Sequence, residues 1–534
     1  MPNTPSQTQL GNQPVTTIPQ LVERAAAAFG ERIFLEEGNT RLSFRDFAQQ
    51  ARQVAAALMA NGIQPGDRIG VWAPNISEWV IAAIGAQCAG AVLVTLNTRY
   101  KGHEAAYILR QSRAKLLFSI GQFLDIDYPA QLAGEDLPDL QQIVVFRGEQ
   151  AASAGQIRWE DFLEQGQQIA AADVTARMDG VSGSDTSDIL FTSGTTGNPK
   201  GVMTSHEQNL RAFTYFSDIL GLTRDDRYLV INPFFHSFGY KAGILACLLK
   251  GATLLPHAVF NAGEILARIG ADRISVMPGP PTLFQSLLAH PDLDKHDIST
   301  LKRATTGAAV IPVEMIHQMK NKLGFETVIT AYGLTESCGL ATMCRDGDSA
   351  EIIATTSGRV IPDVELRCVD TANNEVPRGE PGEIVVRGFN VMQGYFENEQ
   401  ATAETIDSDG WLHTGDIGVM DEQGNLRITD RLKDMFITGG FNCYPAEIEK
   451  LLAGMEGVSM CAVIGVPDER MGEVAMAFIV PRPGAQLDEK GVIAWCREKM
   501  ANYKVPRFVR FKSALPLNAS GKVLKTELKK MVSN

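Results

Sequence analysis

Phe191-Thr192-Ser193-Gly194-Thr195-Thr196-Gly197-Asn198-Pro199-Lys200-Gly201 is a run of hydroxyls and glycines closed by a lysine, set between the strand-like segments Asp188-Ile189-Leu190 and Val202-Met203. The parts suit a polyphosphate. Glycines let backbone N–H groups approach phosphate oxygens, the hydroxyls add donors, and Lys200 supplies positive charge. The spacing is not that of a Walker loop, because Pro199 stands where the second glycine would be, and an ordinary P-loop NTPase is therefore disfavoured. Taken alone, such a loop is more often a flexible turn; the lysine and the flanking strands favour phosphate binding.

Outward from this loop the chain alternates helix and strand. Ser43 and Asp46 open a helical pattern of Phe44, Phe47, Ala51, Val54 and Leu58, with Gly62 as a stop. Arg68-Ile69-Gly70-Val71-Trp72, Leu229-Val230-Ile231 and Ile274-Ser275-Val276 read as short buried strands. Residues 79–96 are apolar but contain Gln87 and fall short of the roughly 20 residues a membrane span needs, so they read as a buried helix followed by a strand. This alternation predicts an α/β fold with mostly parallel, doubly wound sheets covered on both faces. Beyond about residue 355, short strands with Gly and Pro turns, such as Gly382-Glu383-Ile384-Val385-Val386-Arg387, predict a small β-rich subdomain. There is no internal repeat.

With 534 residues, 45% hydrophobic and 21% charged, the chain is large enough for at least two domains. The net charge of −13 argues against broad nucleic-acid binding, which rests on phosphate neutralisation. From Arg497 onward, basic residues outnumber acidic ones ten to two; this tail either meets an anionic ligand or is simply a solvated surface. The eight cysteines lack paired spacing, which fits a reducing compartment and a cytoplasmic setting rather than disulfides or zinc. The polar start, Met1 to Pro19, has no signal-peptide core.

Four further motifs follow in order. They are Thr306-Gly307-Ala308-Ala309, Ala331-Tyr332-Gly333-Leu334-Thr335-Glu336-Ser337, Gly410-Trp411-Leu412-His413-Thr414-Gly415-Asp416 with Asp430-Arg431-Leu432-Lys433-Asp434 behind it, and Pro516-Leu517-Asn518-Ala519-Ser520-Gly521-Lys522. Together with the first loop they resemble the signatures of the adenylate-forming superfamily of acyl-CoA synthetases, luciferases and peptide-synthetase adenylation domains, over about residues 20–530. The resemblance implies a large AMP-binding domain, 1–432, and a small mobile α/β lid, 433–534, hinged at Lys433. It also implies an acid–thiol ligase that uses ATP, Mg²⁺ and coenzyme A.

By the same resemblance, Thr192, Ser193, Gly194, Thr195, Thr196, Gly197 and Lys200 hold the phosphates, and Gly307, Ala308 and Ala309 border the adenine and acyl group. Tyr332 and Gly333 meet the adenine, Thr335 the α-phosphate, and Asp416 and Arg431 the ribose. Glu336 holds Mg²⁺ with Thr192, as a hard cation requires, and Lys522 is the catalytic lysine. Gly439-Gly440 would face the cleft and pass the pantetheine arm, or form a plain turn. His236, in Asn232-Pro233-Phe234-Phe235-His236-Ser237-Phe238-Gly239, takes the position that gates the acyl entrance, although a histidine among aromatics is otherwise a core residue. Tyr240, Lys241, Ala242, Met277-Pro278-Gly279, Cys338, Gly339 and Leu340 are expected in the acyl-pocket walls, a mixture that favours a bulky hydrophobic acid over acetate.

The segments 232–247, 337–339 and 438–449 look most like bacterial ligases of steroid degradation that activate the propanoate of a two-ring indanedione. Medium- or long-chain fatty acid ligases and a standalone carrier-loading adenylation enzyme are the alternatives. A non-catalytic AMP sensor would be expected to lose Glu336 or Lys522, and both are present. A homodimer is compatible with these features.

Overall fold

The computed structural model describes residues 9–10, 13–148, 155–192, 199–307, 311–431, 434, 436–438, 441–443, 445–468, 471–500, 502–518 and 522–533. The helix expected after Ser43 is Phe44–Ala60. Its start is fixed by a reciprocal cap, in which Asp46 N donates to Ser43 Oγ at 3.1 Å and Ser43 N donates to the Asp46 carboxylate at 3.2 Å. Phe44, Phe47, Ala51, Val54 and Leu58 are all buried, and Gly62 past its end takes φ +75°. Residues 79–96 contribute most of the helix Ser77–Cys88 and the strand Val92–Thr95, buried throughout. Among the described residues, no helix is long and apolar enough to cross a membrane.

The expected doubly wound sheets are two. One runs in the order Gln156–Arg158, Gln142–Phe146, Ala114–Ile120, Arg68–Trp72, Val92–Thr95, Thr186–Thr192, Lys200–Ser205 and Gly394–Tyr395. Its first six strands are parallel, and the last two turn antiparallel. The other has Thr327–Tyr332, Arg303–Thr306, Val276–Pro278, Arg227–Val230, Thr253–Pro256 and Ile33–Glu37 as neighbouring parallel strands, with antiparallel edges. Two strand expectations shift. The strand near 229–231 is Arg227–Val230, and the one near 274–276 is Val276–Pro278, with Ser275 just ahead of it still hydrogen-bonded through its backbone to Arg227 and Arg303.

The β-rich subdomain is an antiparallel sheet of Val364–Val369, Pro381–Gly388, Leu412–Met420 and Leu426–Arg431. Beyond it, Val458–Asp468 and Gly472–Pro481 form the centre of a C-terminal sheet, with Phe508–Phe511 added parallel to the latter. Alternation along 461–466 fills two separate small cores. Val463 packs with Ile448, Val492 and Cys496, and Ala462, Ile464 and Val466 pack with Leu515 and Leu528. All eight cysteines are free thiols in the structure.

The helices Phe44–Ala60 and Ser77–Cys88 approach closely at Gly85, where a Cβ would lie 2.4 Å from Val54 Cβ. Overpacking of this kind costs about 1–3 kcal/mol. Gly85→Ala is expected to lower the urea midpoint of the N-terminal domain without changing the slope of the transition, as followed by tryptophan fluorescence.

Candidate active site

Two sheets in an α/β fold offer a crevice beyond the carboxyl ends of their strands, and polar side chains stitch these ends together. Asn75, just past Arg68–Trp72, donates to the carbonyls of Val230 and Asn232 at 3.1 and 3.0 Å and accepts from Phe234 N at 2.8 Å. Thr95, at the end of its strand, donates to the Phe235 carbonyl at 2.6 Å. The turn 232–236 of one sheet is therefore held by residues of the other. His236 caps the next short helix by accepting from Phe238 N at Nδ1, 3.3 Å away, and its ring remains reachable by water. The surrounding protein, and then the nearby Lys241 charge, hold the His236 pKa below its ordinary 6.5. The bond from Phe238 N uses Nδ1 as the acceptor, which assigns the ring proton to Nε2.

The phosphate loop is a hairpin connection. Thr186–Thr192 pairs antiparallel with Lys200–Ser205, and Lys200 returns directly opposite Thr192. Ser193, Gly194, Thr195, Thr196 and Gly197 lie outside the described residues, but the strands that hold both ends of the loop are where the sequence puts them. Across from Thr192 stands Glu336, on a single 3₁₀ turn, Thr335–Ser337, that follows the strand Thr327–Tyr332. Thr192 Oγ1 donates to Glu336 Oε1 at 3.4 Å. Gly333 makes this turn possible, since a Cβ there would sit 2.4 Å from the Gly339 backbone. Thr335 lies on the same turn, beside Glu336.

Tyr395 was not singled out in the sequence. Its phenol donates to Glu336 Oε1 at 3.0 Å, and its ring centroid lies 4.9 Å from Lys200 Nζ. Burial, followed by the Glu336 charge, pushes the phenol pKa up, so the group stays a donor. The strand Gly394–Tyr395, paired with Val202 and Met203, brings it there. The Gly394-Tyr395 pair just ahead of Phe396 was the available signal, but two residues of strand carry no periodicity.

On the nucleotide side, Tyr332 donates to Asp416 Oδ2 at 2.7 Å, joining the residue assigned to adenine with the one assigned to ribose. The Arg431 backbone lies opposite Asp416 across neighbouring strands. Gly307 follows Thr305 and Thr306, whose buried hydroxyls have no partner among the described residues. Ala308, Ala309, Lys433, Gly439 and Gly440 lie outside the described residues. Lys522 is exposed on a tight turn, its N–H donating to Asn518 Oδ1 at 2.8 Å.

The acyl-wall expectation needs correction. Tyr240, Lys241, Ala242, Met277 and Cys338 are wholly inaccessible. Tyr240 accepts from Gln87 at 2.6 Å, and Lys241 pairs with Asp188 at 3.1 Å. These side chains face the interior, because a cation and a phenol at such depth must find polar partners and do so beneath the cleft. Of the expected wall residues 338–340, Gly339 keeps the partial exposure.

One carboxylate and one hydroxyl suit a small hard cation that takes its remaining ligands from substrate phosphates and water. Among the described residues there is no cluster of three or more His, Cys, Asp or Glu for a metal held by protein alone.

Residues 22–396 match the family model described as AMP-binding enzyme, and 447–522 match the AMP-binding enzyme C-terminal domain. The chain belongs to this adenylate-forming family and is an ATP- and CoA-using acid–thiol ligase. It is 48% identical over 521 residues, covering 97% of this chain and 99% of the relative, to a Rhodococcus jostii protein. That relative is named 3-[(3aS,4S,7aS)-7a-methyl-1,5-dioxo-octahydro-1H-inden-4-yl]propanoyl:CoA ligase. A Mycobacterium tuberculosis protein of the same name is 49% identical over 96% of this chain and 99% of its own length. The solved structure of the anthranilate CoA ligase AuaEII with anthranoyl-AMP superposes with a TM-score of 0.85 at 28% identity, covering 98% of both chains.

Tyr395→Phe keeps the ring over Lys200 and removes the donor to Glu336. A hydrogen bond to a charged group is worth about 1.5–3 kcal/mol, so the Mg²⁺ concentration for half-maximal pyrophosphate release is expected to rise by roughly 10-fold or more. A metal titration of the first half-reaction checks this.

Proposed function

We propose that the chain joins coenzyme A to the propanoate side chain of a hexahydroindanedione, a two-ring remnant of steroid breakdown, through an acyl-adenylate. The observation that carries the chemistry is the meeting of Thr192, Lys200, Glu336 and Tyr395 beside the Tyr332–Asp416 pair. Two relatives that match over nearly their whole length and carry that substrate in their names support the acid.

In the first half-reaction the substrate carboxylate oxygen attacks the α-phosphate of ATP, and pyrophosphate leaves. Lys200 and the hydroxyls of the loop at Thr192 would take the β- and γ-phosphates, Thr335 the α-phosphate, and Asp416 with Arg431 the ribose. Glu336 and Thr192 would hold Mg²⁺, which neutralises charge on the phosphates when bound. Tyr395 keeps the Glu336 carboxylate aimed by donating to one of its oxygens, while its ring faces Lys200. Lys522 would approach the carboxylate and α-phosphate, where one well-aimed donor is worth about 10²–10³ in rate.

In the second half-reaction the CoA thiol attacks the acyl carbonyl carbon, the bond to AMP breaks, and AMP leaves. His236, at the junction of the two sheets, would gate the acyl group and the incoming thiol. This division requires Lys522 to withdraw. On this reading the domain boundary falls at 432/433, Lys433 would be the hinge, and Gly439-Gly440 would line the pantetheine path.

Pyrophosphate release and CoA-ester formation are to be measured across acids from acetate through palmitate to the indanedione propanoate. The bicyclic acid is expected to give the highest kcat/KM; a preference for linear chains would assign a fatty acid ligase, and adenylation without any CoA ester would indicate carrier loading. Separately, Lys522→Ala is expected to cut adenylation by about 10²-fold or more and to leave CoA transfer from supplied acyl-AMP nearly unchanged. Equal loss in both steps would remove Lys522 from its assigned role.

A further inference from the structure

Beneath the phosphate strand lies a polar network with no accessible surface. Asp188 sits on the strand Thr186–Thr192, on the same face as Thr192 by the two-residue period. Its carboxylate accepts four bonds. Lys241 Nζ reaches Oδ1 at 3.1 Å, Thr204 Oγ1 reaches Oδ1 at 2.8 Å, and Ser187 Oγ and Asn209 Nδ2 reach Oδ2 at 2.7 and 2.6 Å. Lys241 also donates to Thr204 at 3.0 Å and lies 3.9 Å from Cys338 Sγ. Cys338 donates to Asn209 Oδ1 at 2.8 Å. All six of these side-chain owners are inaccessible to solvent.

Two backbone features converge here. Lys241 belongs to a π-helical stretch, Tyr240–Leu245, that follows the short helix Ser237–Gly239 capped by His236 and is buried throughout. Such stretches are rare and concentrate at functional sites. Cys338, two residues after Glu336, adopts φ +60°, an uncommon conformation for a residue with a Cβ that persists only when its surroundings over-determine it. The network supplies that constraint through the Cys338 thiol and closes a rigid link from the Thr192 strand to the Glu336 turn.

A buried ion pair is weak support for stability, since well-packed apolar replacements often match it. We propose that Lys241, paired with Asp188, is a positioning residue for adenylation. Through Asn209 and Cys338 it fixes the Glu336 turn at the distance from Thr192 at which the two share one metal bound to ATP. The inference rests on the reading of Glu336 and Thr192 as the metal site, and Lys241 itself touches neither nucleotide nor metal.

The test pairs binding with turnover. Asp188→Asn/Lys241→Met removes both charges together, and Cys338→Ser and Cys338→Ala respectively keep and remove the donor to Asn209. Calorimetric titration with ATP, with and without Mg²⁺, measures how much the metal tightens nucleotide binding. Pyrophosphate release and CoA transfer from supplied acyl-AMP are followed in parallel.

For the double variant the expected result is at least a 10-fold loss of the Mg²⁺-dependent gain in ATP affinity and a comparable fall in adenylation. CoA transfer should stay within 2-fold of the parent. Cys338→Ala should lose part of the gain, and Cys338→Ser should retain it. An unchanged metal-dependent gain in the double variant, or in Cys338→Ala if the double variant does not fold, overturns the proposal. So does equal loss in both half-reactions. Glu336→Gln keeps the two readings apart: if it retains the full metal-dependent gain, the metal-site assignment fails, whatever the network variants do.

Discussion

The antiparallel pairing of Thr186–Thr192 with Lys200–Ser205 is the constraint on which the site depends. It ends a run of parallel strands with a strand that turns back, so Lys200 lies opposite Thr192 and the loop between them is fixed at both ends. The next strand, Gly394–Tyr395, can add only because Lys200–Ser205 presents a free edge. That addition delivers the Tyr395 phenol to Glu336. The three groups thus reach one place from residues far apart in the chain through ordinary ladder bonds.

Polar burial does the remaining alignment. A hydroxyl or amide away from water must be paired, and that demand restricts geometry more tightly than apolar contact does. Asn75 and Thr95 use it to lock the His236 turn of one sheet to strand ends of the other, and Asp188 uses it to lock the phosphate strand to the Glu336 turn. Among the described residues, the oxygen donors of Thr192 and Glu336 are too few for a metal bound by protein alone. They match a cation that arrives with its phosphates.

Sequence patterning carried most of the fold. The capped helix after Ser43, the buried helix and strand across 79–96 and the β-rich texture beyond 355 are local signals, and each became the expected element. Strand limits near Ile231 and Ile274 were less legible, since a neighbouring chain decides where a ladder stops. Tyr332, Glu336 and Asp416 were singled out through the resemblance of their motifs to the adenylate-forming family, and the structure brings Tyr332 to Asp416 and Glu336 to Thr192. Tyr395 was not, because its importance comes from an edge strand joined to residues nearly two hundred positions away. Lys241 was legible as a residue near the His236 motif but was assigned to the pocket wall. A one-dimensional pattern does not show that Asp188 waits on the other side of the helix.

The same separation of local rigidity from long-range placement bears on Lys522. The C-terminal sheet has apolar cores on both faces, formed from its own residues, and so holds its internal geometry without help from the large domain. Its terminal turn is tied down locally: Leu517 bridges Val523, Asn518 N donates to the Lys522 carbonyl at 2.8 Å, and the Lys522 N–H returns a bond to the Asn518 side chain. On the proposed division of the two half-reactions, a lysine used in one and withdrawn in the other is well mounted in this way. Its placement on the rigid body is fixed by short hydrogen bonds, and relocating that body breaks no bond within it. On that reading, the cost of a domain rearrangement would fall on the linker and the surface between domains rather than on any core.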